Sequence, residues 1–414
     1  MRIIANELKK MWNVKILAII VVLSTLYFFG SLVDWINFYP RGTWFFNVDF
    51  AHHLTENYGA TLEQDEFEDF LNYREVIVPQ LDKFISSNQL FANAGIFSYS
   101  DYQDFRLDFG LRYNELDEEE RSLWYAIMLE WGNTIRTSAG EMLVSDNVAP
   151  EAYIKMINFD NVVGLYRANI IGDTDWGSNI DSFIENTQLN EYEIQRLTEI
   201  RDSGELLNIM VWHTTYHTLR YAQNLAALVI LITLILVSPL ITTDRANRVN
   251  WLQYSSKQGR GILKKQFIAV LISAVGMTTI LVIVFAGAFS TTGVQAFWNN
   301  GINSFMSGTF HWLSITFGEY VLLMIGIIYL LSIGTAAFAF ILSRLSQNMI
   351  KLIFKVIPLF VAALMLSSYL LRDFLVIKIG GNVLAQIFSL IVFLIAGMVI
   401  AALVLNKEKR VELA

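Results

Sequence analysis

In a 414-residue chain with no cysteine and only five histidines, the histidines are where metal or acid-base chemistry would have to lie. His213 and His217 stand four apart on a predicted helix, which puts both rings on one face, and His52 is followed directly by His53. Either pair could reach a metal. Residue 214 is Thr, however, so the glutamate of an H-E-x-x-H site is missing, and packing is the ordinary reading of both pairs. The carboxylates crowded into EQDEFED and DEEE are accounted for by solvated helix faces. Without cysteine there is no disulfide, thiolate metal site or cysteine nucleophile. The glycine-containing stretches GDTDWGSN and QGRGILKK lack phosphate-loop spacing, so ATP, if it drives this protein, must be bound by another subunit. No catalytic, cofactor-binding or metal residue is assigned.

These residues must be held by a chain whose mean hydropathy is +0.43 and whose hydrophobic content is 54%. Soluble domains usually stay at about 45–50%. The expected fold class is therefore an all-α polytopic membrane protein. Apolar runs long enough to cross a bilayer, about 20 residues each, place six transmembrane helices. The first covers 16–33 and the second 224–243, and the third to sixth fall within 267–405, near Phe267–Phe289, Gly318–Leu342, Leu352–Leu371 and Leu384–Leu405. No A-x-A cleavage site follows the first run, so it reads as an uncleaved span. Glu319 at an edge and Lys355 one turn in are the ionisable residues expected within these runs, which speaks against proton-coupled transport.

Charge is divided unevenly. Residues 34–220 hold 32 acidic and 12 basic residues, whereas the rest holds 18 basic and 6 acidic. That pattern predicts one acidic domain outside and basic loops inside. The outer domain, 34–223, shows apolar residues recurring every three or four positions and should be mainly helical, with loops at 91–102 and 172–179. Residues 1–15 read either as a helix lying in the cytoplasmic interface or as a basic lead-in to the first span. The segment between the third and fourth spans, 290–317, is uncharged and rich in aromatic residues, suited to dipping into the membrane interface. The tail is 406–414.

The most distinctive stretch is TTDRANRVNWLQYSSKQGRGILKKQ at 242–266, a basic interruption between two spans. It carries Arg245, Arg248, Lys257, Arg260, Lys264 and Lys265 against Asp244 alone. This arrangement, with one span, a large domain, a second span, a basic loop and four more spans, resembles the permease subunit of an ABC-2-type transporter of the Gram-positive bacterial kind. In that family an acidic residue, a short helix and a small-residue/Lys-Gly-Arg stretch precede the third span. Asp244, Ala246–Tyr254, Ser255–Arg260 and Lys264–Lys265 occupy those places. Family loops often carry Glu where Asp244 stands and Gly-Thr where Arg248 and Val249 stand.

The resemblance implies that 244–266 is a coupling loop docking on a separate ABC ATP-binding subunit, and that two permease subunits, identical or homologous, make one transporter. Trp251, Leu252 and Tyr254 are the expected buried anchors, aromatic residues being frequent hot spots. Asp244, Arg245, Arg248, Lys257 and Arg260 complete the expected interface, and Lys264 and Lys265 suit membrane lipid. The function implied is a non-enzymatic exporter of a peptide, lipid or antimicrobial compound, multi-pass in the bacterial cytoplasmic membrane with both termini cytoplasmic, and no nucleic acid is expected as a partner. Two alternatives stay open: a receptor with an acidic extracellular ligand-binding domain, and a mechanotransmitting ABC subunit of the four-span type.

Overall fold

The structure is a computed structural model and describes residues 2–39, 48–133, 135–136, 142–147, 149–172, 180–247, 261–378 and 381–411. Helix dominates it, and the strands described are a two-residue antiparallel pair, Ile135–Arg136 with Met142–Leu143. Six helices are long and apolar enough to cross a membrane: Val14–Asn37, Trp212–Ala246, Ile262–Ser290, Phe317–Arg344, Met349–Leu371 and Val383–Lys407. They are numbered here as the first to sixth spans. The all-α, multi-pass reading of the sequence holds at this level.

Burial ranks the spans. The second is 78% buried over its most apolar window, the third and fourth 50%, and the first, fifth and sixth only 11–17%. The second, third and fourth therefore form the centre. Apolar side chains alone give neighbouring helices little reason to associate inside lipid, so small residues and interhelical hydrogen bonds carry specificity there. The fourth span supplies both. Ser332 Oγ accepts from Thr278 Oγ1 of the third span at 2.8 Å and lies 3.0 Å from Thr233 Oγ1 of the second. Gly334 lets Phe393 of the sixth span come so close that a Cβ there would sit 2.6 Å from the ring. In the second span, Pro239 lacks the N–H that would continue the helical ladder, and a new helical segment begins at Pro239. Ser343 Oγ of the fourth span donates to the Ser238 carbonyl at this break, at 2.6 Å.

Short helices fill the large domain between the first two spans. Its acidic excess is partly used at their starts, where carboxylates meet free N–H groups and the positive end of the helix dipole. Ser98 with Asp101, Asp117 with Glu120 and Asn190 with Glu193 each form a reciprocal capping box. Glu319 does the same with Thr316 at the start of the fourth span. The expected loop at 91–102 is shorter than its sequence suggests, because Gln89–Asn93 and Tyr99–Arg112 are helical on either side of Ala94–Ser98. Residues 173–179, in the other expected loop, lie outside the described residues. The core is aromatic: Trp131 stacks on Tyr153 at 4.4 Å, and Phe67 on Tyr166 at 4.0 Å.

The segment between the third and fourth spans does not lie free beside the bundle. Asn300, Ile302, Asn303, Ser304, Phe305 and Met306 are all buried, and they lock into the stretch of the domain that leads to the second span. Asn300 Nδ2 donates to the Ile209 carbonyl at 2.6 Å and to Thr55 Oγ1 at 3.1 Å. The Gly301 N–H donates to Asn208 Oδ1 at 2.8 Å, in a contact that a Cβ at 301 would close. Asn303 Nδ2 donates to Glu205 Oε2 at 2.6 Å, and Glu205 is also gripped by Arg196. Burial alone would raise the Glu205 pKa, but hydrogen bonds from Arg196, Ser314 and Asn303 outweigh it and hold the carboxyl below its ordinary range. On its far side this segment bonds to the turn between the fifth and sixth spans, with Trp312 N donating to the Leu375 carbonyl and Ile377 N to that of Phe310.

Candidate functional site

At the opposite end of the bundle, the beginning of the basic loop is fastened to the N-terminal helix. Arg2–Met11 has Ile4, Glu7, Leu8 and Met11 at helical spacing, and it packs this face on the third span while Lys9 projects outward. Asn13 ends it and starts the first span. Its Nδ2 donates to the Lys10 carbonyl at 2.7 Å and its Oδ1 accepts from the Ile16 N–H at 3.0 Å, so one amide caps two helices. Trp12 then donates its indole N–H to Ser273 Oγ of the third span at 3.0 Å.

Four side chains meet inside this corner. Glu7 and Asp244 are each 4% exposed. Lys10 Nζ lies 2.9 Å from Glu7 Oε1 and 3.0 Å from both carboxylate oxygens of Asp244. Gln266 Nε2 donates to Glu7 Oε2 at 3.1 Å and to Asp244 Oδ2 at 3.0 Å. Buried carboxylates are tolerated only when such donors replace water. Burial alone would lower the Lys10 pKa, but hydrogen bonds and charge from Glu7 and Asp244 outweigh it and raise the ammonium above its ordinary value. A lysine with a raised folded-state pKa gives its full stabilisation below the unfolded value, about 10.4, and loses it only as pH rises through the folded one. Around neutral pH this knot does not titrate through Lys10.

The neighbouring residue ties in the fourth span. Arg245 donates through Nη1 to the Ser346 carbonyl and through Nη2 to that of Arg344 at 3.1 Å, supplying donors to a helix end whose last carbonyls have none. Thr242 Oγ1 adds a contact to Met349 Sδ at 3.1 Å. The two residues that flank the loop, Arg245 and Gln266, thus reach different neighbours. Between them they hold the N-terminal helix and the second, third and fourth spans at one point.

No protein-family profile, curated protein or solved structure matches this chain.

Of the interface residues expected from the sequence, the structure turns Asp244 and Arg245 toward partners within this chain. Arg248, Trp251, Leu252, Tyr254, Lys257 and Arg260 lie outside the described residues. Lys264 and Lys265 follow on the first turn of the third span, Lys264 exposed. Glu7, Lys10 and Gln266 were not anticipated as part of this site. A glutamate on the apolar face of an amphipathic helix was the available signal, but the amide that reaches it from the third span, Gln266, sits 259 positions away in sequence.

The histidines meet aromatic rings. His217 packs edge-on against Trp35 at 5.5 Å and Tyr39 at 5.7 Å, His213 against Trp212 at 4.9 Å, and His52 against Phe297 at 4.6 Å. No group of three potential metal ligands occurs among the described residues. Lys355 reaches back from the fifth span to donate to the Leu345 carbonyl at 3.0 Å, so its long stem runs toward the end of the bundle.

Proposed function

We propose that this chain is the permease subunit of an ABC exporter, moving a peptide, lipid or antimicrobial compound across the bacterial cytoplasmic membrane on ATP hydrolysed by a separate subunit. The observation that carries this reading is the knot around Asp244. A loop meant to transmit a partner's movement needs a rigid root, and 244–266 is rooted at both ends: Asp244 to the N-terminal helix, Gln266 to the same pair of carboxylates. Displacement of the loop would be passed to the N-terminal helix, the second span and the third span together. Through Arg245 it would also reach the end of the fourth.

Under this reading the basic segments face the cytoplasm, as short Lys- and Arg-rich loops do. The start of the loop and the turn at Arg344–Met349 meet at one end through Arg245 and Thr242. The acidic domain would then be extracellular. Six candidate spans favour the six-span permease over a four-span mechanotransmitting subunit.

The test is co-purification of the full chain with the products of its neighbouring genes, followed by an ATPase assay with and without it. Recovery of a nucleotide-binding subunit whose hydrolysis responds to this chain supports the proposal. Recovery of none would sink it. Single cysteines at Ser100 and Ser255 of this cysteine-free chain should label from outside and inside respectively, and labelling from one side would overturn the orientation.

A further inference from the structure

Arg220 belongs by sequence to the polar stretch before the second span, but the structure places it two turns inside that span's helix, which begins at Trp212. An arginine at the end of a membrane span pairs with a polar partner or faces a polar cavity or the headgroup layer. Arg220 lies over the Tyr216 ring at 5.1 Å and donates to Gln223 Oε1 at 3.1 Å. Among the described residues no carboxylate pairs with it. Beside it opens a cavity of about 390 Å³ between the first, second and fifth spans, walled by Trp35, Tyr216, Gln223, Ser367 and Ser368.

Ser368 Oγ accepts from Gln223 Nε2 at 2.8 Å, which leaves the hydroxyl's own proton to be given elsewhere. Ser367 is 1% exposed and its hydroxyl has no partner among the described residues, although buried polar groups are nearly always paired. The depth is also informative. Ser368 is within one turn of the fifth helix's end at Leu371, and Trp35 is two residues from the first helix's end at Asn37. That is the level at which aromatic rings and lipid headgroups meet.

We propose that this cavity binds an oxyanion, a phosphate or carboxylate on a larger molecule, with Arg220 as the fork and Ser367 and Ser368 as further donors. Guanidinium matches such groups in a two-pronged geometry. The cavity volume falls in the range of small-ligand sites and exceeds what a bare phosphate fills. A phospholipid headgroup and a soluble phosphate ester share this chemistry. The site stands apart from the permease reading, because it is defined by binding and not by transport.

Native mass spectrometry of the detergent-solubilised full chain tests it, with phosphatidylglycerol and phosphatidylcholine as probes. Phosphatidylglycerol should be retained in preference to the zwitterionic lipid. Arg220→Gln should weaken that retention by about tenfold or more. Ser368→Leu, which leaves the charge but narrows the mouth, should weaken it too and guards against a misfolded Arg220 variant. Displacement by millimolar inorganic phosphate would assign the site to the anion itself, and resistance to it would assign it to the lipid headgroup. Retention of neither lipid, or retention unchanged in both variants, overturns the proposal.

Discussion

The two ends of the helix bundle are closed by different chemistry. At the end bearing both the N-terminal helix and the basic loop, closure is ionic: among the described residues, two buried carboxylates, one ammonium and one amide, drawn from three separate segments. At the end bearing the large domain, closure is mostly amide to backbone, through Asn208, Asn300 and Asn303, with Glu205 and Arg196 as an appended pair. A charge cluster is strong while complete and fails when one member is lost, whereas amide-to-backbone bonds fail singly. The first arrangement suits a point through which force passes, the second a broad seat.

Removing Lys10 should have the largest effect. Lys10→Met removes the ammonium that Glu7 and Asp244 share, and breaking such a cluster from one side costs about 3 kcal/mol, the low end because the Lys10 side chain is 38% exposed. Thermal unfolding of the purified chain should show the loss, and Asp244→Asn added to Lys10→Met should recover part of it. No recovery would mean that the cluster is held by packing and not by charge. Next in size is Asn300→Ala, which strands the Ile209 carbonyl and Thr55 and should cost roughly 1–3 kcal/mol. Hydrogen exchange should rise around 205–211 and stay unchanged at Arg2–Met11. A rise at both ends would erase the distinction between them.

Acid should separate the ends as well. His311 is fully buried and its pKa is pushed down to about 4 by that burial. The unfolded chain, with an ordinary histidine pKa near 6.5, binds this proton first, so stability is lost as pH falls from about 6.5 towards 4. Glu205, its pKa depressed, adds a loss only below the ordinary glutamate range, about 4.3. The domain end should therefore loosen on mild acidification, and His311→Phe should flatten the upper part of a melting-temperature profile against pH. A profile identical to that of the parent chain would remove His311 from the account. The smallest change is expected of Arg112→Ala, whose pair with Asp108 lies in solvent and should leave melting untouched at either end.

How much of this could be read beforehand depends on range along the chain. Six apolar runs are local facts, and they returned as six helices. The capping box of Asp117 with Glu120 is equally local, because capping is decided within four residues. The knot is another matter: Lys10 and Asp244 are 234 positions apart, and nothing in either neighbourhood points to the other. Residues 290–317 looked like an interfacial loop because they lack charge. The same lack of charge suits burial under a domain, and only the fold distinguishes the two. Arg220 was assigned to the last helix of the domain, expected over about 205–223 and running on into the second span, and that continuous helix is found from Trp212 onward.

Ser332 has one proton and serves two threonines, Thr278 and Thr233, from two different helices. In a bilayer no water waits to replace either bond, so sliding one of these three helices along another would break contacts that cannot be remade part-way. The second, third and fourth spans should therefore travel as one keel. Whatever rearrangement this protein undergoes falls to the three lightly buried helices around it, the first, fifth and sixth. Two of those three wall the cavity at Arg220, so a molecule held there would sit on a seam between the keel and the helices packed around it.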